Sequence, residues 1–136
     1  MRADPERPEV RSRTMRAVRG RDTGPEMVVR RLVHGMGYRY RLHGRDLPGK
    51  PDLVFRPRRK AIFVHGCFWH QHDCPRGARL PKSNRDYWLP KLRRNRERDA
   101  EHRARLADMG WKTLVVWECE IADRDALASR IAAFLD

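Results

Sequence analysis

A chain of 136 residues with 40% hydrophobic side chains can bury a real core and is the size of one domain. Its 31 Lys and Arg against 18 Asp and Glu leave a formal charge of +13 and a pI near 10.9, which points to a polyanionic partner, nucleic acid first. No apolar run approaches the roughly 18 residues of a membrane span, and the N-terminus lacks the apolar core of a secretory signal, so a membrane protein and a secreted one are not expected.

Residues 1–11 are charged and carry Pro5 and Pro8, a composition that orders only on a partner. Ser12 to Val18 can form a short helix with Met15 and Val18 on one face. Arg11, Arg13, Arg16 and Arg19 around it suit either an arm on a phosphate backbone or a frayed, solvated helix. Residues 1–19 are therefore read as a flexible basic arm, and 20–136 as a single domain. Thr23-Gly24-Pro25-Glu26 is a capping box that starts a helix to about Met36, with Val29, Leu32, Val33 and Met36 as core stripe and Gly37 as stop. Glu26 in its first turn has capping as its simplest role.

Tyr38 to Leu42 alternates as a strand, Leu47 to Lys50 is a loop, and Pro51 to Phe55 is a second strand with Asp52 near its start. A turn at Pro57 to Lys60 returns the chain as a third strand, residues 61–65. Arg76 to Lys82 is a basic connection. Ser83 to Asp86 can cap a long helix to about Met109, with Gly110 as stop. Leu89, Leu92, Leu106 and Met109 fall near helical spacing, but Asn95, Asp99 and His102 interrupt the stripe, so that part is expected to face a site or partner. Lys112 to Trp117 is an apolar strand and Arg124 to Leu135 a closing helix. The order helix, three strands, helix, strand, helix predicts an α/β fold with a mixed central sheet flanked by helices.

The densest chemistry lies in His65-Gly66-Cys67-Phe68-Trp69-His70-Gln71-His72-Asp73-Cys74, directly after the third strand. Three cysteines cannot pair completely, and without a secretion signal thiolate–metal chemistry is favoured over disulfides. Cys67, His72 and Cys74 form C-x4-H-x-C, and Cys119 at the end of the last strand supplies a fourth donor. Three thiolates and one imidazole suit a structural, tetrahedral zinc site that staples the loop to that strand. His70 and Asp73 are alternative ligands, and buried cysteines without metal are the simpler reading. Asp52, on a hairpin whose partner strand carries His65, suggests a nuclease carboxylate holding Mg²⁺ beside a phosphate, although an Asp after Pro is often only a turn residue.

Thr14-Met15-Arg16-Ala17, Leu47-Pro48-Gly49-Lys50-Pro51-Asp52, His65-Gly66-Cys67-Phe68-Trp69-His70, Tyr87-Trp88, Asn95-Arg96-Glu97-Arg98-Asp99 and Val116-Trp117-Glu118-Cys119 follow one another in this order. With them the chain closely resembles the very short patch repair (Vsr) DNA mismatch endonucleases, from about residue 12 to 119. The resemblance implies a restriction-endonuclease-like core with one structural zinc. It implies an enzyme that nicks duplex DNA on the 5′ side of the thymine in a T·G mismatch, the product of 5-methylcytosine deamination, beside a cytosine-5 methyltransferase.

By the same resemblance Asp52 and the Val64 backbone carbonyl would hold Mg²⁺. His70, oriented by Glu26, would act on the attacking water, and His65 and Asp99 would complete the polar site. Phe68, Trp69 and Trp88 would form an aromatic wedge beside the mismatch, unless two of them are core. Met15 would approach from the minor groove, and Lys91 and Asn95 would read the mispaired bases. Trp111 and Trp117 read as core. Val64 departs from the family pattern, where threonine is usual; a backbone ligand would be unaffected. A monomer in the bacterial cytoplasm, associated with the nucleoid when bound, is expected, since one nick needs one active site. Two other readings share these residues: an endonuclease of the same fold acting on unmismatched DNA, and a non-catalytic zinc-stabilised DNA-binding module.

Overall fold

The computed structural model describes residues 24–68, 70, 72, 74 and 84–136. Met15, the basic arm, Thr23, Trp69, Asp73, the 76–82 connection and Ser83 lie outside the described residues.

Helix α1 spans Gly24–Gly35, strand β1 Arg41–Leu42, β2 Leu53–Phe55 and β3 Lys60–His65. Helix α2 (Arg85–Asp108), strand β4 (Lys112–Trp117) and helix α3 (Arg124–Leu135) complete the described part. The strands form one sheet in the order β1-β2-β3-β4. β1, β2 and β3 are antiparallel neighbours, whereas β3 and β4 run parallel, with Lys60 opposite Lys112 and His65 opposite Trp117. A parallel pair needs a crossover, and the chain through α2 supplies it.

The strand period of two sorts side chains between two cores. Leu53, Phe55, Ile62 and Val116 pack with Val29 and Val33 of α1 and Leu127, Ile131 and Leu135 of α3. Val54 and Phe63 point the other way and pack with Leu47 and with Leu106 of α2. Helices thus cover both faces, as the α/β reading expects. The same alternation turns His65 and Trp117, two residues beyond Phe63 and Val115, to the α2 side.

Both predicted glycine stops are real. Gly37 and Gly110 take φ of 95° and 85°. The next amides, Tyr38 and Trp111, reach back to the carbonyls of Val33 and Leu106 at 3.3 and 2.9 Å, which closes each helix end in a Schellman pattern.

Two strands are shorter than predicted. Tyr38 and Tyr40 are half-buried against the first core, so only Arg41 and Leu42 ladder, and His43 then leaves the strand with φ of 51°. Pro51 has no N–H to give a ladder, and Asp52 turns to the site, so β2 begins at Leu53. At the start of α2, Asn84 caps with its backbone: its carbonyl accepts from Tyr87 and Trp88, each at 3.0 Å. No helix among the described residues is long and apolar enough to cross a membrane.

Candidate active site and metal centre

Among the described residues, three clusters gather where β3 ends. Within each, the ligand-type atoms lie within 4.8 Å of one another: Cys67, His72, Cys74 and Cys119; His65, His70 and Asp99; Glu26, His43 and Asp52.

The first cluster is built by the loop after β3 folding over the end of β4. His72 N–H donates to the Cys67 carbonyl at 3.0 Å, and Cys67 N–H to Glu118 Oε1 at 3.4 Å. Cys119 Sγ then lies 3.6 Å from His72 Nδ1. A tetrahedral zinc with Zn–S of about 2.3 Å and Zn–N of about 2.0 Å would set sulfur and nitrogen about 3.5 Å apart, so the donor set fits such an ion. Burial foremost, together with the neighbouring thiols, pushes the Cys67 thiol up to about 12. Three crowded thiols cannot ionise together without a cation, and a bound metal reverses that balance. These are the four residues singled out by spacing; His70 belongs elsewhere.

In the second cluster the rings of His65 and His70 are stacked, 3.8 Å apart and 3° from parallel. His70 Nδ1 is held in a close hydrogen bond by Asp99 from α2. This corrects the sequence expectation for His70: the carboxylate on its ring is Asp99, and Glu26 groups with His43 and Asp52 instead. Burial, the largest single influence, acts to raise the Asp99 carboxyl, but the bond from His70 together with the charges of His70, His65 and Arg103 holds the group below the usual carboxylate range. With Nδ1 committed, His70 Nε2 is the nitrogen left to exchange a proton. His65 is 6% exposed, and its Nδ1 has no hydrogen-bond partner among the described residues. Burial, then the nearby His70, push it down to about 3, so it is a neutral imidazole at physiological pH.

The third cluster joins α1, the turn after β1 and the start of β2. Glu26 is 1% exposed, and its Oε2 accepts from Arg30 at close range and from His43 Nε2 at 2.8 Å. Asp52 Oδ2 accepts from Val64 N–H at 2.7 Å, which ties this carboxylate to the residue before His65. Burial, with a smaller contribution from Glu26, pushes Asp52 up to about 7. A buried and a half-buried acid side by side form a donor set that could hold a hard cation.

Trp88, Lys91, Asn95 and Asp99 lie three or four residues apart, so one face of α2 carries all four. Phe68 meets Trp88 edge to face at 6.1 Å, and Tyr87 meets it at 5.1 Å. Lys91 Nζ lies 5.3 Å and 5.7 Å from the Tyr87 and Trp88 ring centres. Tyr87 is 59% exposed, which makes this an open aromatic and cationic patch rather than core.

Two residues were missed in the sequence. His43 stands in a plain turn, and no local pattern marks its reach to Glu26. Trp117, expected in the core, packs into neither apolar cluster of the described residues and instead contacts imidazoles.

The family described as DNA mismatch endonuclease Vsr matches residues 3–76. The type II nicking enzyme V.XorIIP of Xanthomonas oryzae pv. oryzae is 54% identical, over 95% of this chain and 94% of its own. The type II nicking enzyme V.NmeAIP of Neisseria meningitidis is 40% identical over 89% of this chain and 86% of its own. The DNA mismatch endonuclease Vsr of Escherichia coli is 42% identical over 86% of this chain and 74% of its own. Identity of this extent across the stretch that builds all three clusters places the chain in the Vsr family as a DNA endonuclease.

Proposed function

We propose that this endonuclease is Mg²⁺-dependent and nicks one strand on the 5′ side of the thymine in a T·G mismatch. The observation that carries the reading is the Val64–Asp52 hydrogen bond. It sets the Asp52 and Glu26 pair beside the strand end whose next residue, His65, stacks on His70. Asp52 and the Val64 carbonyl are the residues that would hold the cation, whose chemistry is to polarise the phosphate and stabilise the leaving 3′ oxygen.

The chain's own groups do the rest. Asp99 fixes the His70 tautomer, and His70 Nε2 takes the proton of the water that attacks phosphorus as the bond to the 3′ oxygen breaks. Neutral His65 can hydrogen-bond the phosphate where a lysine is usual in this nuclease class. Phe68 and Trp88, with Trp69 and Met15, act as the wedge, because unstacking costs least at a mismatch. Lys91 and Asn95, on the same helix face, read the exposed base edges. The mixed sheet with helices on both faces serves as a restriction-endonuclease-like core, stapled by zinc at Cys67, His72, Cys74 and Cys119. The enzyme works as a monomer in the bacterial cytoplasm, beside a cytosine-5 methyltransferase, and nicks next to the deaminated product of that methylation.

Asp52→Ala should abolish nicking of a mismatched duplex while leaving binding of that duplex largely intact; retained nicking would remove the metal role. The alternative reading, nicking of an unmismatched duplex by the same residues, predicts equal cleavage of matched and mismatched duplexes.

A further inference from the structure

Trp117 ends β4 opposite His65. Its indole contacts three imidazoles. It stacks face to face on His72, 4.1 Å away and 14° from parallel. It meets His65 edge-on at 5.3 Å and 74°, and His70 at 6.3 Å and 71°. The two edge-on geometries are the attractive ones for aromatic rings, and the near-parallel contact with His72 is close van der Waals packing. Its backbone is fixed as well, since Trp117 N–H donates to Glu120 Oε1 at 2.8 Å. His72 belongs to the Cys/His cluster, whereas His65 and His70 form the stacked pair at the nuclease site. A ring that fills neither apolar core and touches both centres links them.

We infer that Trp117 is a positioning residue that holds the His65–His70 stack in place and makes its placement depend on the His72 side chain of the Cys/His cluster. The metal staple then sets catalytic geometry as well as stability. The other restraints on the two rings are the Asp99 bond on His70 and the Phe63 ring 5.6 Å from His65, while His65 Nδ1 has no hydrogen-bond partner among the described residues. Losing the indole lets both rings rotate or slide, and small misplacements of reacting groups are costly. This rests on the reading of His65 and His70 as catalytic groups.

The test compares zinc-loaded full-length wild type, Trp117→Leu and Trp117→Phe. Trp117→Leu should slow single-turnover nicking of a T·G duplex about tenfold or more. It should leave duplex affinity and zinc content unchanged and should move the imidazole proton resonances of His65 and His70. Trp117→Phe keeps a flat face and should recover most of the rate. A Leu variant with wild-type rate and unmoved resonances overturns the assignment. His72→Cys keeps four zinc donors but removes the stacked imidazole; retained zinc with shifted His65 and His70 resonances supports the link, and unmoved resonances overturn it. If wild type nicks no duplex, the catalytic reading fails, and the resonances alone decide the role of Trp117.

Discussion

At Asp52 the proposed metal affinity and a pH response meet on one half-buried side chain. Burial raises its carboxyl from 3.8 to about 7, so below that pH a cation must displace a proton. Mg²⁺ affinity should therefore rise by up to about tenfold per pH unit as pH approaches about 7, then flatten. Calorimetry in buffers of different ionisation enthalpy should detect a proton released at pH 6, and none released there would contradict the account. The stability sign follows from the same shift. The folded group is harder to ionise than the unfolded one, so its contribution is whole below 3.8 and is lost as pH rises through about 7 unless a cation compensates. His43 acts on the same site through Glu26 Oε2. His43→Ala should weaken Mg²⁺ binding about tenfold or more, with His43→Gln restoring much of it by keeping a side-chain N–H donor. Equal affinities for all three proteins by calorimetry would show that Glu26 needs no such clamp. Asp52 was legible in the sequence because it directly precedes a strand in a distinctive run; His43 was not, because its partner is 17 residues away and a turn histidine has no periodic signature.

At the scale of elements, the segments that obey a strong local rule were legible. β3, α2, β4 and α3 follow from apolar periodicity and glycine stops, and the C-x4-H-x-C spacing marked the donors of one cluster before any geometry. Pairing across elements was not. Which carboxylate meets His70 depends on how α2 lies over the sheet, and that packing puts Asp99 there rather than Glu26. The Asp52 loop shows how tight the packing is. Gly49 has φ of 77°, and a Cβ added there would lie 2.9 Å from His102 Cβ on α2. Gly49→Ala therefore combines backbone strain with a clash and should cost about 1–3 kcal/mol. It should also lower Mg²⁺ affinity by shifting Asp52 against α2. A melting temperature and Mg²⁺ isotherm identical to wild type would mean that the loop adjusts freely.

Over the whole molecule, charge and fold divide the labour. The formal charge of +13 was evident from composition and predicts attraction to any duplex, with affinity that falls steeply as salt rises. Discrimination needs something local, and the Phe68, Trp88 and Lys91 patch on the α2 side is the place we propose for it. Substrate choice was legible only through family resemblance, because neither charge nor periodicity encodes which base pair is read. The most direct measurement is strand-specific cleavage of an end-labelled duplex carrying one T·G mismatch, beside its T·A control, with Mg²⁺ and with EDTA, in a pool of flanking sequences. A Mg²⁺-dependent nick immediately 5′ of the mismatched thymine, absent from the control, is the predicted result. Equal cleavage of both duplexes, or cleavage that persists in EDTA, would contradict it.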